Sequence, residues 1–291
     1  MSRDLTPADL ARLSALVVAR SGLAFDEDRW PFLQNRAGEA IRRSGFTTAR
    51  RWLDEVGESA IRRSALYVSL EEALTVQETA FFRYEAHHRV LRERVVPALV
   101  RTGGARVRVL VVGCATGEEP YSVAMTLHES VPPALVPAIE IVALDVSRSA
   151  LAAAVAGRYP ADRLTRVAPA YRHKYFLTGP DGFSVAPALR RMVRFRQHDV
   201  RRGCQVCRCA VVFCCDVLSY FTPSMRRQVL SALRDTIADG GFLFLGDARE
   251  PSLDTREFEP VDGGADTVFR RRTAATPEVT MTELAGSGIG G

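Results

Sequence analysis

Apolar positions in residues 6–72 recur every three to four residues, the period of amphipathic helices. Thr6-Pro-Ala-Asp9 supplies an N-cap, a proline at the first helical position and an acid at the third. Leu10, Leu13, Leu16 and Val17 then share one face until Gly22. A second helix is predicted from Asp28 to Ser44, with Trp30, Leu33, Ala37 and Ile41 on its apolar side, and residues 49–57 and 58–74 predict two more short helices. From Arg106 the pattern changes to short apolar runs. Val107–Val112 ends at Gly113, Ile139–Leu144 ends at Asp145, and Val193–Arg196, Ala210–Cys214 and Phe242–Leu245 follow. Helical stretches at 118–129, 147–156 and 224–238 lie between them. Strands alternating with helices predict an α/β fold whose mostly parallel sheet is covered on both faces.

The expected organisation is a small all-helical domain over 1–74, a linker and connecting helix over 75–104 ending near Thr102-Gly-Gly104, and the sheet domain over 105–272. Gly179-Pro-Asp-Gly182 is a turn signal between short extended pieces, so 176–192 predicts a small β-hairpin excursion. Residues 257–271 are expected to close the sheet with an antiparallel pair, and the small, polar tail 273–291 to be disordered.

Composition narrows the class. With 47% apolar and 25% charged residues the 291-residue chain is ordinary globular material. A net charge of +5 is too small to argue for nucleic acid. No stretch reaches the roughly 18 apolar residues that would span a bilayer, and Met1-Ser-Arg-Asp-Leu-Thr6 lacks the apolar core of a signal peptide, so a cytoplasmic location is the expectation. Six cysteines in this length are not a disulfide scaffold. Cys204-x-x-Cys207-x-Cys209 with Cys214-Cys215 invites a zinc reading. Residues beside a buried strand alternate between faces, so these thiols read as small apolar residues and no metal is expected.

The chemistry concentrates at Gly113-Cys-Ala-Thr-Gly117-Glu-Glu119, where a buried strand turns into a helix. Thr116 and Glu119 read as a capping box, and Asp145 at the end of the next strand suits a ribose diol. The glycine spacing is not that of a dinucleotide fingerprint, and Glu118 and Glu119 at the helix start would repel a pyrophosphate. They would attract a cation. S-adenosylmethionine carries a sulfonium and an ammonium and no phosphate, and so fits better.

Three segments resemble the chemotaxis receptor glutamate methyltransferases, the CheR family: Thr79-Ala-Phe-Phe-Arg83 with Glu85-Ala-His-His88, Thr116-Gly-Glu-Glu-Pro-Tyr-Ser122, and Asp216-Val-Leu-Ser-Tyr-Phe221. Gly157-Arg-Tyr159, Lys174-Tyr-Phe176 and Asn35-Arg36 are fainter echoes. The resemblance implies a Rossmann-like S-adenosylmethionine-dependent methyltransferase domain with a terminal antiparallel strand, after a helical domain. It also implies a β-subdomain inserted late in the methyltransferase domain. By position it implies cofactor contacts from Gln77, Thr79, Arg83, Gly113, Gly117, Glu118 or Glu119, Asp145, Asp199, Val200, Cys215 and Asp216, with S-adenosylhomocysteine as product. Arg83 and Tyr220 would serve the acceptor. The implied partner is the acidic helical region of a methyl-accepting chemoreceptor, met by a monomer without membrane insertion. Arg29, Arg36 and Arg43 recur every seventh residue and form a near-axial stripe suited to docking acidic helices.

The sequence departs from the family pattern at several positions. Gln77 stands where Asn is usual, Asp199-Val200 where Asn-Leu is usual, Cys215-Asp216 where Arg-Asn is usual, and Tyr84 replaces an acid. Two other readings stay open: a methyltransferase of another acceptor on this fold, and a cofactor- or receptor-binding regulatory module with weak or no catalysis, which Cys215-Asp216 favours. Methyl ester formation needs no catalytic base, because a glutamate side chain with an ordinary pKa of about 4.3 is already ionised at neutral pH. His87 and His88 are adjacent and would point about 100° apart on a helix, which suits packing or capping better than metal binding.

Overall fold

The computed structural model describes residues 4–62, 65–101, 106–180, 182–206, 208–246, 253–261 and 266–273. The expected helix end at Thr102-Gly-Gly104, Cys207, Asp181 of the predicted turn and the tail beyond Thr273 lie outside the described residues. Four helices come first: α1 (Pro7–Ser21), α2 (Trp30–Ser44), α3 (Ala49–Arg62) and α4 (Ala65–Ala73). Thr6 and Asp9 form a reciprocal capping box on α1, and Gly22 ends it in the left-handed region at φ 68°. Helix α3 differs from the expected break after residue 57 and runs through Gly57. One interior glycine costs only about 1 kcal/mol, less than burial of the stripe Trp52, Leu53 and Val56 returns. Leu13, Val17, Leu33, Ala37, Ile41 and Trp52 meet in one apolar cluster.

The connecting segment is α5 (Glu85–Val90), one π-helical stretch at Leu91–Val95, and α6 (Val96–Arg101). Pro97, which has no N–H and crowds the carbonyl of Glu93, sits just past the π turn. Ten strands are described: β1 (Val107–Val112), β2 (Ile139–Asp145), β3 (Arg158–Tyr159), β4 (Phe176–Gly179), β5 (Gly182–Val185), β6 (Val193–Gln197), β7 (Cys209–Cys214), β8 (Ile237–Leu245), β9 (Phe258–Pro260) and β10 (Val268–Arg271). The later helices are α7 (Glu118–Ser130), α8 (Arg148–Ala156), α9 (Pro169–Tyr175), α10 (Pro187–Met192) and α11 (Pro223–Thr236).

The main sheet has the order β6-β2-β1-β7-β8-β10-β9. Its first five strands are parallel, and β10 pairs antiparallel with both β8 and β9. Side-chain alternation divides the core. Val109, Val111, Ile141, Ala143, Val211, Phe213 and Phe244 pack on the face covered by α5 and α7, whereas Leu110, Val112, Val142, Leu144, Val212, Leu243 and Leu245 pack on the α11 face.

Two expectations need correction. Helix α11 ends at Thr236, not at residue 238: Ile237 already pairs with Cys209 and Phe242 with Val211, so 238–241 bulge out of the ladder. Only part of 176–192 is a hairpin. β4 and β5 pair across the turn, β3 joins β5 as a third strand, and 187–192 are helical because Pro187 starts α10. No described helix is long and apolar enough to cross a membrane.

The turn into α7 depends on Gly117, at φ 98°, where a Cβ would lie 2.9 Å from both Ala154 Cβ and Tyr159 Oη. Gly117→Ala is expected to lower stability by at least the 1–2 kcal/mol or so of a left-handed backbone; urea denaturation measures it, and an unchanged midpoint would contradict the close approach.

Candidate active site

Parallel strands bring their carboxyl ends to one edge. The chain leaves β1 towards β2 on one side, while β7 lies on the other, so a crevice opens at this switch of direction. A cavity of about 940 Å³ occupies it. Gly113 follows β1, Asp145 ends β2, and Cys215 and Asp216 follow β7; all four line the cavity with Thr79, Arg83, Glu119, Asp199, Val200 and Tyr220. Helix α4 and the loop after α1 contribute Glu71, Glu72, Leu23 and Phe25, so the helical region forms one wall.

Asp145 is held by the turn it faces. Its Oδ2 accepts from the Ala115 N–H at 2.8 Å and its Oδ1 from the Ser147 N–H at 2.9 Å. Burial raises its pKa and these backbone bonds oppose the rise. Each oxygen keeps a lone pair for a diol.

Glu118 and Glu119 diverge, as neighbours on a helix must. Glu118 is fully buried and is not a cavity-lining residue; it pairs with Arg163, whose Nε donates to Oε1 at 3.0 Å, and accepts from the Thr116 hydroxyl at 2.6 Å. The expected Thr116–Glu119 capping box is therefore absent. Gly117 is the N-cap of α7 and Thr116 is committed to Glu118. Glu119 lines the cavity, where burial, and then the charge of Asp216, push its pKa up to about 7. Gly117 and Gln77 are likewise not cavity-lining. Gly117 shapes the turn, and Gln77 donates to the Ser147 hydroxyl at 2.6 Å.

Two of the departures from the family pattern, at Tyr84 and Asp216, meet in space. Asp216, at φ 59°, accepts from the Tyr84 hydroxyl at 2.5 Å, and its Oδ2 lies 3.3 Å from Arg83 Nη2. Tyr84 is thus the donor and Asp216 the acceptor of one hydrogen bond. Cys215 Sγ lies 3.9 Å from His87 Nδ1, and burial drives the thiol pKa well up. His87 and His88 are buried and bond to Thr267 and Thr126 at 2.9 Å; burial pushes their pKa values down to about 4 and about 3, so both are neutral at physiological pH. Among the described residues no group of three or more His, Cys, Asp or Glu is arranged to hold a metal. Arg83 also lines an outer cleft of about 330 Å³ with Glu78, Thr79, Ala80, Tyr84 and Arg166, and so stands between the cavity and the surface.

Asp199 is taken up by Arg201, which donates from Nε at 2.7 Å and extends to Glu71 at 3.2 Å and to the Ser21 carbonyl at 2.7 Å. Burial alone would raise the Asp199 pKa, but Arg201 holds it below the usual range. Tyr220 is half-buried under the Arg29 guanidinium, 5.0 Å from its ring centroid. Arg29 thus packs on a ring that lines the cavity. Arg36 and Arg43 share Glu39, at 3.8 and 2.5 Å. Sequence reasoning missed Tyr84, Glu72, Ser147 and Arg163 as partners. The only hints were the odd tyrosine after Arg83 and the two consecutive acids, which cannot both face one ligand.

The donor set fits S-adenosylmethionine. Asp145, a diol acceptor, and Glu119, an acid for a cationic group, line one cavity. Residues 77–265 match the family described as CheR methyltransferase, SAM binding domain. The chain is similar to chemotaxis protein methyltransferase 1 of Pseudomonas aeruginosa, 30% identical over 246 residues that cover 82% of this chain and 89% of that protein. It is 31% identical over 205 residues to chemotaxis protein methyltransferase 1 of Vibrio cholerae, covering 69% and 74%. To chemotaxis protein methyltransferase Cher2 of Pseudomonas putida it is 28% identical over 245 residues, covering 82% and 88%. Fold and pocket define an S-adenosylmethionine-dependent methyltransferase. Within that class the chain belongs to the CheR methyltransferase family.

If Glu119 faces the positive end of the cofactor, affinity is expected to depend on pH. With its folded pKa near 7, Glu119 becomes an anion only as pH rises through that value, so S-adenosylmethionine is expected to bind more tightly at pH 8 than at pH 6. Calorimetry on wild type and Glu119→Gln checks this: the rise should vanish in the variant, and a flat wild-type profile would remove Glu119 from the cation site. Stability has the opposite sign. Glu119 favours the folded state below its ordinary pKa of about 4.5, and that contribution is lost as pH rises towards 7.

Proposed function

We propose that this chain transfers the methyl group of S-adenosylmethionine to glutamate side-chain carboxylates of chemoreceptors. The observation that carries this reading is Arg83, a cation at the mouth of the cofactor cavity that already holds one carboxylate, that of Asp216. Asp145 would receive the ribose diol, with Gly113 and the Ala115 backbone beside it, Val200 and Asp199 would flank the base, and Glu119 would face the positive end. Bound there, S-adenosylmethionine supplies a sulfonium methyl that a carboxylate oxygen displaces in line, the C–S electron pair returning to sulfur to leave S-adenosylhomocysteine and a methyl ester.

The residues of the chain have no proton to remove, because the acceptor is already ionised. Their work is alignment and exclusion of water. Arg83 would orient the acceptor carboxylate through its paired N–H groups, and Tyr220 would close the rim with Arg29. That His87 is neutral and Cys215 a buried thiol agrees with a reaction that needs no base or protein nucleophile. Asp216 does not stand as an uncompensated anion, which weakens the reading of the chain as a binding module without catalysis.

Docking of the acceptor would use the exposed stripe. Arg36 and Arg43 present cations shared with a single Glu39, and Arg29 leads from them to the pocket rim. An acidic receptor helix is the complementary partner.

Two outcomes are expected. Arg83→Ala should reduce labelled methyl transfer to receptor fragments by about 10- to 100-fold, the worth of a charge-assisted contact, without changing the melting temperature; turnover within twofold of wild type would contradict its role. Arg36→Glu with Arg43→Glu should slow receptor association. Wild-type binding should weaken with salt, because exposed charges are screened beyond a Debye length of about 8 Å, and salt-independent binding would contradict the docking surface.

A further inference from the structure

The loop that carries Asp145 is gripped from outside the sheet. Ser147 is fully buried, and its hydroxyl caps α8 by accepting from the Ala150 N–H at 3.2 Å. The same oxygen accepts from Gln77 Nε2 at 2.6 Å and donates to Glu72 Oε1 at 3.3 Å. Glu72 Oε1 also accepts from the Arg148 N–H at 2.8 Å, the first amide of α8. Ser147 N–H in turn donates to Asp145 Oδ1. A carboxylate on the last turn of α4, in the helical region, thus serves as a second cap on the helix that follows Asp145.

Two acids line one cavity here, Glu72 and Asp145, and the negative charge of Glu72 adds to burial in raising the Asp145 pKa. They are kept apart by a row of backbone donors, Ala115, Ser147 and Arg148, of which the last two open α8 at the positive end of its dipole. Each N–H has one direction to point. While Glu72 takes the Arg148 amide, the Ser147 amide is left to Asp145, and the carboxylate plane of Asp145 is set.

We propose that Glu72 is a positioning residue for the cofactor: by capping α8 from the helical region, it fixes the Asp145 carboxylate in the orientation that receives the ribose diol. The inference rests on the reading of Asp145 under the proposed function. It makes cofactor affinity depend on how the helical region docks, and by linkage it makes cofactor binding tighten that docking.

Calorimetric titration of S-adenosylhomocysteine into the full chain tests it. Glu72→Ala is expected to weaken binding about tenfold, the scale of one hydrogen bond to a charged group, and Glu72→Gln, whose amide oxygen still accepts, to stay within about threefold of wild type. In an Asp145→Ala background, Glu72→Ala should add no further loss, an interaction that simple loss of packing would not produce. Ser147→Ala removes the hydroxyl link without touching the helical region, and should show the same dependence on Asp145 if Glu72→Ala does not fold. The inference is overturned if Glu72→Ala binds as wild type, if its loss is the same with and without Asp145, or if glutamine does not rescue. If Asp145→Ala itself binds as wild type, the ribose reading fails and takes the inference with it. If Asp145→Ala weakens binding and Glu72→Ala does not, only the inference fails.

Discussion

A carboxylate at the edge of an apolar sheet is costly unless it is given partners, yet a pocket for a sulfonium and an ammonium has to present carboxylates. This chain meets that constraint in a different way at each acid. Asp145 takes two backbone amides. Asp199 takes a guanidinium. Asp216 takes both a guanidinium and a phenol. Glu118 is withdrawn altogether into a pair with Arg163. The Cys215 thiol offsets the burial of Glu119 only in part, and the Glu119 pKa rises. The partners come from the glycine turn, the linker, the helical region and the strand ends, which ties these separate parts of the chain to one crevice.

The helical region is bound to the sheet through that same crevice. Arg201 joins Asp199 to Glu71 and to the end of α1, Glu72 caps α8, and the loop after α1 makes backbone bonds to the Tyr220 segment, with Ala24 N–H to the Tyr220 carbonyl at 2.8 Å and Thr222 N–H to the Gly22 carbonyl at 2.9 Å. Arg29 covers the Tyr220 ring from the start of α2. The proposed docking stripe thus has its first arginine packed on a ring that lines the cavity.

Much of the architecture was legible because burial leaves periodic marks. Val109–Val112 and Ile141–Leu144 are unbroken apolar runs because helices cover both faces, and Thr6–Asp9 announced its own cap. Gly57 misled because a glycine's local cost says nothing of the stripe it interrupts. Thr116 misled because capping-box spacing also arises where the hydroxyl serves a buried ion pair. The cavity lining was legible where one strand end holds one residue, as at Gly113 and Asp145. It was not legible where two distant substitutions compensate: Tyr84 and Asp216 each looked like a loss in one dimension, and only the fold puts the phenol on the carboxylate.

The chemical identity of the acceptor atom is most directly open to measurement. Labelled S-adenosylmethionine, incubated with the chain and receptor fragments, should leave label on glutamate as a methyl ester, which mild alkali releases as volatile methanol. Label that survives alkali, as on nitrogen or sulfur, or no transfer to any acidic receptor helix, would contradict glutamate O-methylation.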